Sequence, residues 1–450
     1  MALPDGPRSD SSFQMIQWLT QPFEFLERWS KQYGDMFTMH LGVIPPSVVI
    51  ADPEGIQQLF TGDQFDSGFG NAALKFTLGE NSLLVLDGER HQRQRKLLMP
   101  PFHGERMRAY GSLIAEITRK AMAKWRMGGS FAVRPYLQGI TMQVILEAVF
   151  GLHEGPRLQR LRGALNRLLE STSSPLSMGV SLLFQEDFAP WSPRGKLKAQ
   201  LSEIDELLYA EIRERRTEGK FEGKDILTLL MLARDEADQP MSAQELRDEL
   251  ITLLIAGHET TASTLSWALY WIHALPEVFE KLETELATLP QDFDPNAVAQ
   301  LPYLNAVCQE TLRLYPIAIL ASPRVPRTSA EILGHHFEAG TRLFPCIYLA
   351  HHREETFPEP KRFRPERFLE RSYSPYEFLP FGGGNRRCIG VAFALYEMKL
   401  ILTTMLLHSR LALASDTPIQ PVRRGVTVAP PSDLRLRVLS TQASRPLVML

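Results

Sequence analysis

A chain of 450 residues exceeds the roughly 250–300 that one core usually supports, so it is either several modules or one large layered domain. Apolar residues make up 44% and charged residues 22%, and the formal charge is −3; this ordinary balance gives no reason to expect a nucleic-acid partner. Three cysteines, Cys308, Cys346 and Cys388, cannot all pair and form no close ligand cluster, which excludes a disulfide scaffold.

The opening MALPDGPRSDSSF interrupts any apolar run with Pro and Asp, so neither a signal peptide nor a spanning helix is expected there, and the protein is expected to be cytoplasmic. Alternating, β-branched residues in DMFTMHLGVIPPSVVIADP predict that the chain opens on a hairpin, followed by a short helix at EGIQQLF. GFGNAA (Gly68 to Ala73) has the spacing of a dinucleotide fingerprint, but neither a buried strand nor a βαβ unit flanks it, so it is set aside.

Residues 89–290 read as mostly helical. In DGERHQRQRKLL, Asp87 is the expected N-cap, and His91 and Arg95, four apart, share a face. The charged run Glu211 to Lys224 reads as a solvated helix end and loop. MSAQELRDELITLLIAGHETTASTLSWALYWIHALP opens with a capping box, Ser242 to Glu245, and closes at Pro276. At about 1.5 Å per residue such a helix crosses the whole domain, yet polar residues from His258 to Thr261 interrupt its apolar middle. There Gly257 weakens the helix, and the Thr260 hydroxyl can reach the Ala256 carbonyl.

In ETLRLYP, Glu310 and Arg313 are placed to form an ion pair before the helix stops at Pro316. From about 320 to 370 the texture becomes short strands and proline-rich turns. AHHREE (Ala350 to Glu355) offers adjacent histidines that point apart, and it reads as a surface turn. Finally, FGGGNRRCIG (Phe381 to Gly390) holds Cys388 among glycines at the start of an amphipathic helix, where free N–H groups and the helix dipole favour a thiolate. On these residues alone Cys388 could be a nucleophile or a ligand. Without internal repeats or linkers, one mainly α domain with a minor β part fits.

The spacing of Phe381, Gly384, Arg386, Cys388 and Gly390 resembles the haem-binding loop of the cytochrome P450 family, F-x-x-G-x-R-x-C-x-G. AGHETT (Ala256 to Thr261) resembles the family's [AG]-G-x-[DE]-T-[TS], and Glu310 with Arg313 its E-x-x-R, completed by an arginine of P-E-R-F, here Arg367. The resemblance covers residues 30 to 440 or so, with its motifs in the family's order. It implies the P450 fold, α+β with a long central helix over haem b (iron protoporphyrin IX), in a single domain at 30–450 after an N-terminal segment at 1–29 without a membrane anchor. It implies Cys388 as axial thiolate on the iron, Glu259 and Thr260 as the acid–alcohol pair that relays protons, and Glu310, Arg313 and Arg367 as a structural triad. His91, Arg95, Arg324 and Arg386 would hold the haem propionates; His91 stands where the family usually has tryptophan, and Arg327 is a weaker candidate than Arg324.

The implied function is a monooxygenase that activates dioxygen and hydroxylates or epoxidises a hydrophobic substrate such as a fatty acid, alkane or terpenoid. The alternatives are a peroxide-driven or isomerising haem-thiolate enzyme and a non-catalytic haem sensor; neither needs the acid–alcohol pair. The resemblance is to soluble bacterial members, most to cyanobacterial and myxobacterial fatty-acid types. A monomer is expected, with electrons from a ferredoxin-type donor and its NAD(P)H reductase, docking on a basic face of Arg93, Lys96 and Arg387. The family's layout would line the pocket with Phe76 to Leu86, Leu176 to Phe184, Leu253, Ala256, Ile317 to Leu320 and Val426 to Val428.

Overall fold

The computed structural model describes residues 3–102, 105–151, 155–172, 189, 191–219, 223–425 and 427–441. Its spine is the helix Ala243–Ala274, whose capping box is fully formed: the Ser242 hydroxyl accepts from Glu245 N–H and the Glu245 carboxylate accepts from Ser242 N–H. Over 32 residues it runs about 48 Å. It packs most extensively against Val133–Phe150 and also meets Val391–His408, the helix that follows the cysteine loop. Val391–His408 is apolar and long enough to cross a membrane by composition, but it lies largely inside the fold, where Phe393, Leu400, Ile401 and Met405 join the main core.

Buried residues run almost without a break along the spine from Leu246 to Leu254 and from Thr261 to Ile272. Between them Ala256 is exposed and Gly257, Glu259 and Thr260 are half-buried. A helix sealed at both ends and open in the middle borders accessible space inside the protein.

The minor β part lies at one side. Met36–Met39 and Ser47–Ile50 pair antiparallel, with Met36 opposite Ile50, and Arg342–Pro345 adds in parallel with Arg342 opposite Ser47. The hairpin is not the chain's opening element, as the sequence reading has it. Two helices precede it, Ser11–Thr20 capped by the Asp10 carboxylate and Pro22–Tyr33 started by its own proline. Trp18, Phe23, Phe25 and Leu26 from these helices pack with Phe37 and Met39 of the sheet in a second core. A separate sheet joins Ser130–Ala132, Arg435–Thr441 and Ser409–Leu413, and Val422–Arg424 pairs with Thr427–Ala429 in a short C-terminal hairpin.

Two further expectations change. The run from Glu211 is not simply solvated: Glu211 is buried, and Arg215 bonds Glu211, Asp225 and Thr228 at 2.7 to 2.9 Å before the helix ends at left-handed Gly219. Residues 220–222 of that run lie outside the described residues. Nor are the paired histidines a surface turn. His351 closes the helix Ile347–His351 fully buried, its Nε2 accepting from Leu379 N–H at 2.9 Å. It is a packing residue beneath the cysteine loop's approach.

Candidate active site

The cysteine loop is shaped by close backbone contacts. Gly384 has φ +62°, and a Cβ there would stand 2.4 Å from the Phe60 carbonyl oxygen, so only glycine fits. A single 3-10 turn, Gly384–Arg386, carries the chain to Cys388, whose N–H donates to Phe381 O at 3.0 Å. Cys388 is exposed by surface area, yet burial is the main influence on its thiol and pushes its pKa up, against the Gly390 N–H and the guanidiniums of Arg95 and Arg387. Both facts hold for a thiol walled by protein on its sides and open to an internal space. Desolvation thus works against the helix start, which favours the thiolate. A thiolate at this position needs a further cation on its open side.

Around it stands a buried basic cluster. The helix Gly88–Leu98 carries His91, buried with its Nε2 lacking a partner among the described residues, and half-buried Arg95. Burial, with Arg386 and Arg95 adding to it, holds the His91 pKa down to about 4, so the ring is neutral at pH 7. Arg324 is buried and donates to Ser67 Oγ at 2.9 Å and Gly383 O at 3.0 Å; burial lowers its pKa to about 10. Arg386 donates to Leu83 O, Leu86 O and the Asp87 carboxylate. Arg327 lies apart at the surface, paired with Asp66 at 3.0 Å.

Asp87 does occupy the N-cap position, but its carboxylate makes no capping bond. It accepts instead from the N–H groups of Ser67, Gly68 and Phe69 at 2.8 to 2.9 Å, and from Arg386. Arg324 and Arg386 thus feel the Asp87 carboxylate, and half-buried Arg95 stands near Cys388 and Arg386, so guanidiniums outnumber that acid in the cluster.

At the opening of the long helix, the Thr260 hydroxyl donates to Ala256 O at 2.7 Å, although the helix stays continuous. The Glu259 carboxylate is held by Arg424 Nε at 3.1 Å, with Arg134 Nη1 4.0 Å away. Below the site, Glu310 binds Arg313 at 2.7 Å and Arg367 at 3.1 Å, all three buried. Both guanidiniums also donate to the carbonyls of the segment they hold: Arg313 to Pro360 and Arg362, Arg367 to Pro358 and Arg362.

A family model described as Cytochrome P450 matches residues 4–437. The chain belongs to the cytochrome P450 family. Cytochrome P450 135B1 of Mycobacterium tuberculosis is 37% identical over 98% of this chain and 92% of its own length, and P450 135A1 of the same species 34% identical over 97% and 95%. A retinoic-acid-bound cyanobacterial P450, CYP120A1, superposes with a TM-score of 0.84 at 25% identity, covering 97% of this chain and 99% of its own. The P450DA haem domain reaches 0.86 at 22% identity, which speaks for the fold alone. The chain is thus a bacterial-type P450 monooxygenase, a haem-thiolate enzyme that binds haem b and draws on dioxygen, a substrate and a redox partner.

The residues present fit that cofactor. The excess of guanidiniums suits a dianionic propionate edge, His91 Nε2, without a partner among the described residues, offers one more hydrogen-bonding atom, and the Cys388 thiol is exposed for a ligand. Of the expected pocket residues, Leu253, Ile317, Ile319 and Val428 are buried and Ala256 exposed. The stretch Leu176 to Phe184 and Val426 lie outside the described residues.

The expected basic docking face of this P450 is largely neutralised. Arg93 pairs with Asp235 and Glu245, and Lys96 with Glu236, each at 2.6 Å, which leaves Arg387 exposed. Sequence reasoning missed Arg134 and Arg424, for which no local pattern exists. It also missed Glu249, buried, its pKa raised to about 8 by burial, its carboxylate accepting from Leu83 N–H at 2.9 Å. Glu249 sits one turn-width from the apolar stripe of the long helix, where an acid is itself the signal.

Proposed function

We propose that this P450 hydroxylates or epoxidises a hydrophobic substrate such as a fatty acid, alkane or terpenoid. Electrons would come from a ferredoxin-type donor and its NAD(P)H reductase, to a monomer in the cytoplasm. Haem, when bound, supplies the activation of dioxygen. Cys388 Sγ is the iron ligand, and Arg95, Arg324, Arg386 and His91 hold the propionates. Thr260 Oγ1 and the Glu259 carboxylate hold and pass on the protons that oxygen activation consumes. Leu253, Ile317, Ile319 and Val428 exclude water and orient the substrate against the open centre of the helix.

The observation that carries this reading is the opening at Ala256 to Thr260 in an otherwise sealed helix, with an acid and an alcohol side by side. Peroxide-driven, isomerising or sensing proteins have no need of that pair. The apolar pocket residues support a hydrophobic substrate, and a neighbour with retinoic acid bound, an apolar carboxylic acid, points the same way.

The test is optical. The reduced carbon monoxide complex of the wild-type protein should show thiolate-type absorption, and Cys388→His should abolish it; survival of that absorption in the variant would sink the ligand assignment. A spectral-shift screen of fatty acids, alkanes and terpenes then ranks the substrate classes, and a screen in which only polar compounds bind would overturn the hydrophobic pocket.

A further inference from the structure

We propose that Arg424, backed by Arg134, is the positioning residue of the relay acid, and that it ties Glu259 to the wall of the substrate pocket. The inference rests on Glu259 and Thr260 being the proton relay.

Arg424 Nε holds Glu259 Oε1 at 3.1 Å, and Arg134 Nη1 stands 4.0 Å from the same oxygen. Arg134 is only 5% exposed, and its Nε and Nη1 are shut off from solvent with no hydrogen-bond partner among the described residues. Glu259 is the carboxylate paired with Arg134 among the described residues, and so it offsets the Arg134 charge. A glutamate that swung away would strand a buried guanidinium. The Thr260 hydroxyl, meanwhile, is bonded to Ala256 O rather than to the acid. Acid and alcohol are adjacent in the chain, but each is engaged elsewhere, and what sets the acid's place is the pair of arginines.

Arg424 ends the strand Val422–Arg424, and the hairpin that carries it is fastened on two sides. On one, Thr427 pairs with Ala318, and Val428 N–H donates to Ile317 O at 3.1 Å, joining the hairpin to a segment of the pocket wall. On the other, Arg423 donates to Trp18 O at 2.6 Å and lies over the Trp18 ring. A ligand that presses on Ile317 or Ala318 therefore moves the same small element that grips Glu259. The exposure of the side chains falls inward, from Arg424 to Glu259 to Arg134, so Arg424 is the member that can yield towards solvent.

The experiment uses the haem-loaded protein as wild type, Glu259→Gln, Arg424→Gln, Arg424→Lys and the Glu259→Gln/Arg424→Gln double variant. The first readout is unfolding in denaturant. The two glutamine substitutions should be non-additive, the double variant losing less than the sum of the two single losses, although Arg134 goes unpaired wherever Glu259 is replaced; additive losses would overturn the pairing. The second readout is the share of reducing equivalents released as hydrogen peroxide, with dodecanoic acid as the probe and its affinity followed by the optical shift. Arg424→Gln should raise that share about three-fold or more, as expected for losing a charge-assisted hydrogen bond, while dodecanoate affinity stays within about two-fold. Arg424→Lys should restore the wild-type share, which a loosely folded hairpin would not do. If Glu259→Gln leaves the peroxide share unchanged, the relay reading itself fails. If Glu259→Gln raises it and Arg424→Gln does not, the relay stands and the role of Arg424 is wrong.

Discussion

The Asp87 carboxylate closes on the Arg386 guanidinium, and this pair joins the helix that carries His91 and Arg95 to the loop that carries Cys388. The same carboxylate gathers the N–H groups of Ser67, Gly68 and Phe69, while Ser67 Oγ accepts from Arg324. Three segments distant in sequence thus meet on one acid. Asp87 also tempers the charge of the site, since Arg324 and Arg386 both feel it.

Replacing Asp87 with alanine should therefore do two things. It strands part of the Arg386 charge and three backbone donors, which should cost about 3 kcal/mol. It should also loosen the hold on haem, since Arg386, the proposed propionate partner, loses the acid that fixes it. Thermal unfolding together with the haem-to-protein ratio after purification checks both. A variant as stable and as fully loaded as wild type would show that Asp87 is only a local loop clasp.

The triad below the site is more costly to break. Glu310 is the single acid between Arg313 and Arg367, with all three buried. Glu310→Gln removes the charge that both guanidiniums share and should destabilise the fold by about 3–5 kcal/mol. Arg367→Met should cost less, because the Glu310–Arg313 bonds at 2.7 and 2.9 Å survive. Denaturation midpoints in urea rank the two; the reverse order would mean that Arg367's bonds to the carbonyls of Pro358 and Arg362 matter more than its charge.

What the sequence discloses and what it hides follow sequence distance. The Ser242–Glu245 cap, the Thr260 back-bond to Ala256 and the Glu310–Arg313 pair span three or four residues, so helical geometry alone sets them. Asp87 reads as a helix cap because that local role is chemically open to it. Its actual partner lies 299 positions away, and tertiary contact wins. Arg424 and Glu259, 165 positions apart, leave no trace in either segment. The first helix before the hairpin goes unread for a different reason: Gln14 and Trp18 are buried on a helix that exposes Phe13 and Ile16, so its hydrophobic pattern runs partly against its packing.

His258 gives a pH signature separate from the chemistry. It is buried on the long helix, and burial alone lowers its pKa from 6.5 to about 4. Between those values the unfolded chain takes up a proton that the folded chain refuses. The stability from keeping His258 neutral is thus complete above pH 6.5 and declines as pH falls towards 4. Its share of the loss at pH 5 is about 2 kcal/mol. His258→Gln should reduce the drop in unfolding free energy between pH 7 and pH 5 by that amount, measured in urea; an unchanged drop would mean that the imidazole is protonated in the folded protein.

Substitution of Thr260 should separate cofactor binding from oxygen use. Among the described residues its hydroxyl bonds within its own helix turn, so Thr260→Ala breaks no hydrogen bond to another of their elements and should leave stability within about 1 kcal/mol and haem loading unchanged. General acid–base groups contribute about 10²–10⁴ to rate, so losing the alcohol should cut product formed per reductant consumed by about an order of magnitude or more and divert electrons to peroxide. Thr264→Ala is the matched control, since Thr264 makes the same kind of back-bond, to Thr260 O at 3.0 Å, but is buried one turn further along the helix. Equal coupling in wild type and Thr260→Ala would remove the alcohol from the relay. Equal losses in the two variants would point instead to the helix turn, with its paired back-bonds, as what the oxygen chemistry requires.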